Sequence, residues 1–233
     1  MFTENSIEPV VHQTWQVQAL LDAHIAKPVA ITIKLDSGMH RLGINADRLP
    51  ELLSVLQACP HIAEVQLMTH MACADEPAND FTAVQLASFK QSTQQFDLPC
   101  SIANSATLLA WPESRVEWVR PGIMLYGVNP FAEGLGRDIG LQPVMTLRTQ
   151  LIAVNDCHQG DRVGYGGGWV CDKDMRIGVA AIGYGDGYPR HAASGTAVLV
   201  DGRRCTIVGR VSMDMLTIDL TLAPNEEVGS TVT

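Results

Sequence analysis

The sequence has no basic surplus. Its 16 lysines and arginines face 25 aspartates and glutamates, for a formal net charge of −9. No basic stripe is available for a nucleic-acid backbone, and that class of partner is excluded. A small anion is not, because a few local donors can hold one inside an acidic protein. Clustered cysteines are also missing: Cys59, Cys73, Cys100, Cys157, Cys171 and Cys205 stand far apart, with no CxxC pair and no Cys/His grouping at zinc spacing. No metal site is expected. In a chain this long with no export signal, buried free thiols in a reducing cytosol are expected rather than disulfides. The first residues, MFTENSIEPVV, have no basic segment ahead of an apolar one, so no signal peptide is read there. No run of about 18 apolar residues occurs, so no membrane span or membrane partner is expected. What is present is 233 residues, 46% hydrophobic and 18% charged. That supports one large or two modest packed domains, and the expected location is cytoplasmic.

Short apolar runs alternate with helical stretches in the first part. Val10, Val11 and His12 form a strand-like run, and residues 14–26 follow with Trp15, Val17, Leu20 and Leu21 at helical spacing. Residues 29–35 are β-rich. Residues 47–58 are helical through Leu49, Leu52, Leu53 and Leu56, residues 65–68 form a strand, and 81–96 a helix with Val84, Leu86 and Phe89 inward. Ile102 closes another strand, residues 106–111 start a short helix, and 118–126 begin a last strand unit. Strands separated by helices predict a parallel sheet with right-handed crossovers. His12, Asp36, His70, Asn104 and Arg120 each follow a strand, which is where a βα barrel builds its active site. About five strand units are present, whereas a closed barrel of this kind needs eight.

Beyond a glycine-rich linker at 134–140, strand-like runs follow without helices, at 144–154, 162–165, 176–182, 197–200, 205–208 and 216–220. Asp201-Gly202 and Gly185-Asp186-Gly187 mark turns between them. The expected fold class is α/β plus β: residues 1–136 as the C-terminal part of a (β/α)8 TIM-type barrel, and 137–233 as a β-rich domain. Both ends look cut, with barrel strands missing before the first residue and β strands missing after Thr233. An open sheet would leave unpaired edges and apolar faces.

Four stretches of the first part carry chemistry. KLDSGMHRLG, residues 34–43, sets Lys34, Asp36 and Arg41 at a strand end. Arg41 could grip a carboxylate in a two-pronged fork, or the stretch could be a surface loop with ordinary charges. His70 follows an apolar strand and could be a structural hydrogen-bond partner, a tuner of a neighbouring acid or base, or both. Asn104 and Ser105 precede a helix, where small polar residues either bind phosphate or merely cap. Arg120 ends an apolar run ahead of Pro121, Gly122 and Ile123. A buried arginine must find an acceptor, either a carboxylate of the fold or a cofactor nitrogen. In the second part VGYGGG, IGYGDGYPR and GRVSMDM surround tyrosines with glycine. A phenol there could serve as a base, or these could be turns with core aromatics.

Together and in this order, KLDSGMHRLG, VRPGIMLYGV, VGYGG, AIGYGDGYPR and GRVSMDM closely resemble the alanine racemases, over about residues 9–222. The resemblance implies a two-domain isomerase with pyridoxal 5'-phosphate in the barrel. It implies a homodimer whose β domains reach the partner's barrel, so that active sites are shared between subunits. The reaction implied is interconversion of L- and D-alanine by two-base chemistry, supplying D-alanine for peptidoglycan of the cell wall. A relative acting on another small amino acid such as serine, and a catalytically inactive remnant, are the alternatives. Residue by residue, Tyr165 matches the base on one face of the substrate carbon, His70 its hydrogen-bond partner, and Arg120 the arginine facing the pyridine nitrogen. Arg41 lies where the family contacts the substrate carboxylate, as does Met213 from the partner chain. Asn104, Ser105, Gly122 and Ile123 match phosphate-holding positions, and Tyr184 and Asp214 line the mouth of the site. Lys34 matches a lysine that is carbamylated in some members. None of Lys27, Lys34, Lys90 and Lys173 matches the family's cofactor-linking lysine, and the family's C-terminal phosphate tyrosine would fall beyond Thr233.

Overall fold

The structure is a computed structural model and describes residues 7–25 and 27–233. Residues 1–6, within the stretch read for an export signal, and Ala26, the expected end of the first helix, lie outside the described residues. The chain divides into two compact units, Met1–Val144 and Met145–Thr233. The change of texture read at 136/137 falls a little before that division.

In the first unit the order is β1 (Val10–Val11), α1 (Thr14–Leu21), β2 (Val29–Lys34), α2 (Leu49–Gln57), β3 (Ile62–Met68), α3 (Phe81–Thr93), β4 (Cys100–Ser101) and α4 (Ser105–Ala110). The four strands form one parallel sheet in sequence order. β2 shows why: Val29, Ile31 and Ile33 alternate with Ala30, Thr32 and Lys34, and the first set is buried, the two-residue period of a pleated strand. α2 buries Leu49, Leu52, Leu53 and Leu56 at i, i+3, i+4 and i+7 and lays that stripe on β3. Each such leucine contributes about 2 kcal/mol through burial.

α3 turns Leu86 and Phe89 inward, as its apolar residues suggest, but not Val84. Val84 is 58% exposed, whereas Thr82, Gln85, Leu86, Phe89 and Thr93 are buried. Three of the five inward residues are polar, so apolar periodicity finds Leu86 and Phe89 but misses Thr82, Gln85 and Thr93 and wrongly adds Val84. α1 departs in a milder way: Val17 and Leu20 are buried, and Trp15 is 66% exposed.

The strand expected over 118–126 does not form. Trp118 makes one isolated parallel bridge to Ser101, Arg120 N–H donates to the Ala103 carbonyl (2.8 Å), and the chain then enters a 3-10 turn at Ile123–Tyr126. Pro121 has no N–H to offer a ladder, and Gly122 leaves the extended region at φ −115°, ψ −89°. The stretch read as a glycine-rich linker, 134–140, contains a 3-10 turn at Gly136–Ile139, with the Asp138 carboxylate accepting from Leu135 N–H (2.8 Å).

The second unit contains β5 (Thr149–Cys157), β6 (Arg162–Val163), β7 (Trp169–Val170), β8 (Met175–Ala180), β9 (Ala197–Val200), β10 (Arg203–Val208), β11 (Leu216–Asp219) and β12 (Thr231–Val232). β5 starts later than expected, because Val144, Met145 and Leu147 are exposed and have no ladder partner among the described residues. Six strands close into a barrel in the order β10-β11-β8-β5-β12-β9, with antiparallel neighbours. Val232 pairs with both Thr149 and Val200, and the ring closes within the described residues. Inside lie Leu151, Ile207, Ile218 and Leu220. Asp201 and Gly202 join β9 to β10 with φ 44° and 82°, the two left-handed residues that a tight hairpin of matching twist requires. Among the described residues no helix is long and apolar enough to cross a membrane.

Candidate active site

The first group of site residues gathers at the carboxyl ends of the parallel strands. β2 delivers Lys34, and the chain leaves in a loop, 36–43, whose base is tied shut. Leu35 bridges Ile44, Asp36 N–H donates to the Ile44 carbonyl (3.0 Å), and Ile44 N–H donates to the Lys34 carbonyl (2.8 Å). Asp36 accepts from the N–H groups of Gly38 (2.9 Å) and His40 (3.0 Å), and His40 Nδ1 lies 3.0 Å from its other oxygen. Burial raises the Asp36 carboxyl, but the donors of His40 and Gly38 outweigh it and hold the group below the ordinary carboxylate range. His40 stands at φ 54°, which is uncommon outside glycine, and its two contacts to Asp36 offset that cost. At Gly43, φ 148°, a Cβ would stand 2.5 Å from Asp36 N and 2.8 Å from the Leu35 carbonyl carbon, so only glycine closes the loop. Arg41 projects, exposed, between these two anchors.

His70 follows β3 and is half-buried. Burial, then the charges of Arg120, Lys34 and Arg41, push its pKa down to about 4, so the imidazole is neutral at pH 7. Burial, then Arg41 and Arg120, lower Lys34 against an opposing pull from Asp36. Arg120 finds acceptors, but none is a carboxylate: it donates to the Ser101 hydroxyl and to the carbonyls of Thr69 (2.8 Å) and Ile102 (3.1 Å). Burial lowers its pKa too. Among the described residues Lys34, Arg41 and Arg120 make no ion pair. The site is an under-compensated cationic cluster.

The Asn104 side chain caps α4 by accepting from the N–H (2.9 Å) and hydroxyl (2.7 Å) of Thr107. Ser105 Oγ accepts from the N–H groups of Gly122 (2.9 Å) and Met124 (3.3 Å), stitching the β4–α4 turn to the segment that carries Gly122 and the half-exposed Ile123. Below the cluster runs a buried polar layer that the sequence did not announce. Ser37 and Thr69 share a hydroxyl hydrogen bond (2.7 Å), and Gln85 of α3 reaches both strand-end loops.

The second group lies in the β-rich unit. Tyr165 is 72% exposed, between glycines with φ 73° and 75° that turn the backbone sharply on either side. Two further loops are zipped together: Tyr184 N–H donates to the Ser212 carbonyl (3.0 Å) and Gly185 N–H to the Met213 carbonyl (2.8 Å). A Cβ at Gly183 would stand 2.2 Å from the Met213 oxygen, so the approach requires glycine there. Tyr165, Tyr184, Arg190, Arg210, Met213 and Asp214 line one open cavity of about 1370 Å³. The Arg190 guanidinium lies 5.5 Å from the centre of the Tyr184 ring, a cation–π contact. Arg190 and Arg210 stood inside motifs already singled out. Their position beside the glycine–tyrosine turns was the available signal.

A cationic cluster at the carboxyl ends of parallel βα strands, with a closed β barrel as a separate unit, defines the class: an α/β unit of barrel type with an appended β domain. The chain belongs to the alanine racemase family. The model of the alanine racemase N-terminal domain matches residues 1–130 and that of the C-terminal domain residues 144–233. The alanine racemase of Shewanella amazonensis is 51% identical over 230 residues, 98% of this chain and 63% of that protein. The biosynthetic alanine racemase of Pseudomonas aeruginosa superposes with a TM-score of 0.94 at 43% identity, covering 99% of this chain and 64% of that one. The enzyme of Bartonella henselae, solved with covalently bound pyridoxal phosphate, gives 0.84 at 25% identity, covering 99% of this chain and 65% of that one. The chain thus spans under two thirds of the length of these relatives. The parallel sheet and the β-rich unit are the barrel and β-domain parts of the family's fold.

Proposed function

We propose that the protein interconverts L- and D-alanine with pyridoxal phosphate, in the cytoplasm, as a homodimer. The observation that carries this is Arg120, a guanidinium satisfied only by neutral oxygens and surrounded by Lys34, Arg41 and a neutral His70. Such a cluster has positive charge to spare for an anion. The donor set suits the cofactor. Ser105 Oγ already accepts two N–H groups, and among the described residues its own proton has no acceptor. No atom lies within 4 Å of where a Gly122 Cβ would be, so a phosphate oxygen could approach that backbone. We assign the phosphate to Asn104, Ser105, Gly122 and Ile123, and the pyridine nitrogen to Arg120.

When bound, pyridoxal phosphate supplies the electron sink that makes the α-proton of an amino acid removable. Arg120 cannot give up its proton, so it would donate to the ring nitrogen and leave it unprotonated. Tyr165 would take or return the α-proton on one face. His70, held neutral, can share a hydrogen bond with that phenol without adding charge. Arg41 and Met213 would hold the substrate carboxylate, and Tyr184 and Asp214 would line the approach. Under the family resemblance, each site draws on the β domain of the partner subunit. Lys34 could take up carbon dioxide as a carbamate, which would remove its positive charge and leave Arg41 and Arg120 to face the anion.

The test is racemisation of alanine in both directions by the full-length protein, with serine as the competing substrate. Tyr165→Phe should cut both directions by a factor on the order of 10² or more, the usual weight of a general base. Near-normal rates in both directions would refute the assignment, and a preference for serine would move the substrate. No lysine here matches the family's cofactor-linking position, so the 233 residues alone should show no turnover. Turnover by that chain would overturn the two-base scheme.

A further inference from the structure

We propose that Gln85, on α3, is a positioning residue that fixes the loops bearing Arg41 and His70 to each other. The inference rests on the racemase reading for its functional consequence, but its geometry stands apart from that reading. Gln85 is fully buried, at 0% exposure. Its side chain makes three hydrogen bonds, all of them to the two loops. Oε1 accepts from the Ala72 N–H (2.8 Å), and Nε2 donates to the His70 carbonyl (3.2 Å) and to Ser37 Oγ (3.3 Å). Ala72 and His70 belong to the loop after β3, and Ser37 to the loop after β2 that carries Arg41. Ser37 in turn meets Thr69 through their hydroxyls (2.7 Å), and the Thr69 carbonyl accepts from Arg120. One buried amide thus ties together two of the segments that present the cationic cluster, and the loop after β3 also meets Arg120 through the Thr69 carbonyl.

Nothing about packing calls for glutamine here. Thr82, Leu86, Phe89 and Thr93 share its inward face, and an apolar side chain of similar length would fill the same space. What it could not do is supply both a donor and an acceptor to backbone groups that are turned away from any strand ladder. A buried amide that is only partly satisfied is costly, so full satisfaction means the two loops must keep their spacing. Gln85 touches no reacting atom in this scheme. Its action is on where the Arg41 loop and His70 stand.

The variants are Gln85→Met, close in shape and without polar atoms, and Gln85→Glu, which keeps the acceptor for Ala72 but loses the amide donor while ionised. They are made in the full-length protein, and two readouts are taken. Hydrogen exchange at the Ala72 amide reads the tie directly, and kcat and KM for alanine read its consequence. Gln85→Met should speed Ala72 exchange by about tenfold or more. It should lower kcat by about ten- to a hundredfold, the cost of displacing aligned groups by a fraction of an ångström. KM should change less, because cofactor and substrate contacts remain. Gln85→Glu should keep Ala72 protected yet lose kcat, and recover part of it at lower pH, where a protonated carboxyl can donate to the His70 carbonyl. Unchanged kcat in both variants overturns the proposal even if exchange changes, because Gln85 would then be structural only. If Gln85→Met does not fold, Gln85→Glu and its pH recovery decide. If the unaltered protein does not racemise alanine, the racemase reading fails on its own. The tie is then judged by Ala72 exchange and by the His70 titration midpoint, which rises from about 4 in Gln85→Met if the loop is released and stays put if the proposal is wrong.

Discussion

Acidification offers a direct test of the cluster at the strand ends. The ordinary histidine value near 6.5 falls to about 4 at His70 in the folded protein, through burial first and then the charges of Arg120, Lys34 and Arg41. Between those values the unfolded chain binds a proton that the folded one refuses, so stability rises with pH across that window. The contribution is fully present above pH 6.5 and is lost as the pH falls toward 4. A gap of about 2.5 pH units would be worth roughly 3 kcal/mol if wholly expressed. The ring is only half-buried and water screens the neighbouring charges, so about 1–2 kcal/mol is expected. The assay is denaturant unfolding at pH 4 to 8 for the unaltered protein and for His70→Gln, beside an NMR titration of the His70 ring. The unaltered protein should lose this extra stability on acidification, and His70→Gln should lose correspondingly less. A ring that titrates at or above pH 6, or parallel pH profiles for the two proteins, would refute the argument that uncompensated positive charge surrounds His70.

Gly43→Ala should destabilise the protein by about 1–3 kcal/mol, because the new methyl meets Asp36 N at 2.5 Å and the backbone sits at φ 148°. Gly168→Ala, at φ −74° with open space around it, should change stability by less than about 0.5 kcal/mol, and equal losses in denaturant melts would sink the close-approach argument. Lys34, lowered by burial and by Arg41 and Arg120, should react as the free amine with carbon dioxide, forming an N–C bond to give a carbamate and releasing one proton. A ¹³C resonance from labelled bicarbonate that vanishes in Lys34→Ala is expected, and no such resonance in the unaltered protein would end that assignment.

Much of the fold was legible where residues repeat at a period that packing uses. Ile31 and Ile33 on β2, and Leu49, Leu52, Leu53 and Leu56 on α2, are all buried as their spacing required. Asp201-Gly202 named its own hairpin. The failures have physical causes. Residues 118–126 look like a strand by apolar content, but Pro121 and Gly122 deny it a ladder. Val144, Met145 and Leu147 look like the start of β5, yet the sheet begins only at Thr149, since an apolar side chain does not create a partner strand. β12 is two residues long and closes a barrel through pairings to β5 and β9, far away in sequence and invisible to any local pattern.

The site divides along the same line. Charged and aromatic residues within glycine-rich stretches declare themselves, because a loop that must come close to something uses glycine and the side chain that does the work stands beside it. Lys34, Arg41, Arg120, Tyr165 and Tyr184 were singled out as candidates this way. The residues that hold them were not, because a buried hydrogen-bond donor has no periodic signature. Gln85 lies one position from the apolar Val84 and Leu86, and apolar periodicity assigned the inward face to both of those neighbours. Yet Val84 is exposed and Gln85 is sealed. The choice between these two phases of α3 is made by backbone groups of other segments, the Ala72 N–H and the His70 carbonyl, which must be satisfied once the loop after β3 turns away from the sheet. A helix whose inward stripe is mostly polar is therefore a mark of irregular backbone packed against it, and irregular backbone at the carboxyl ends of parallel strands is where a barrel enzyme keeps its chemistry.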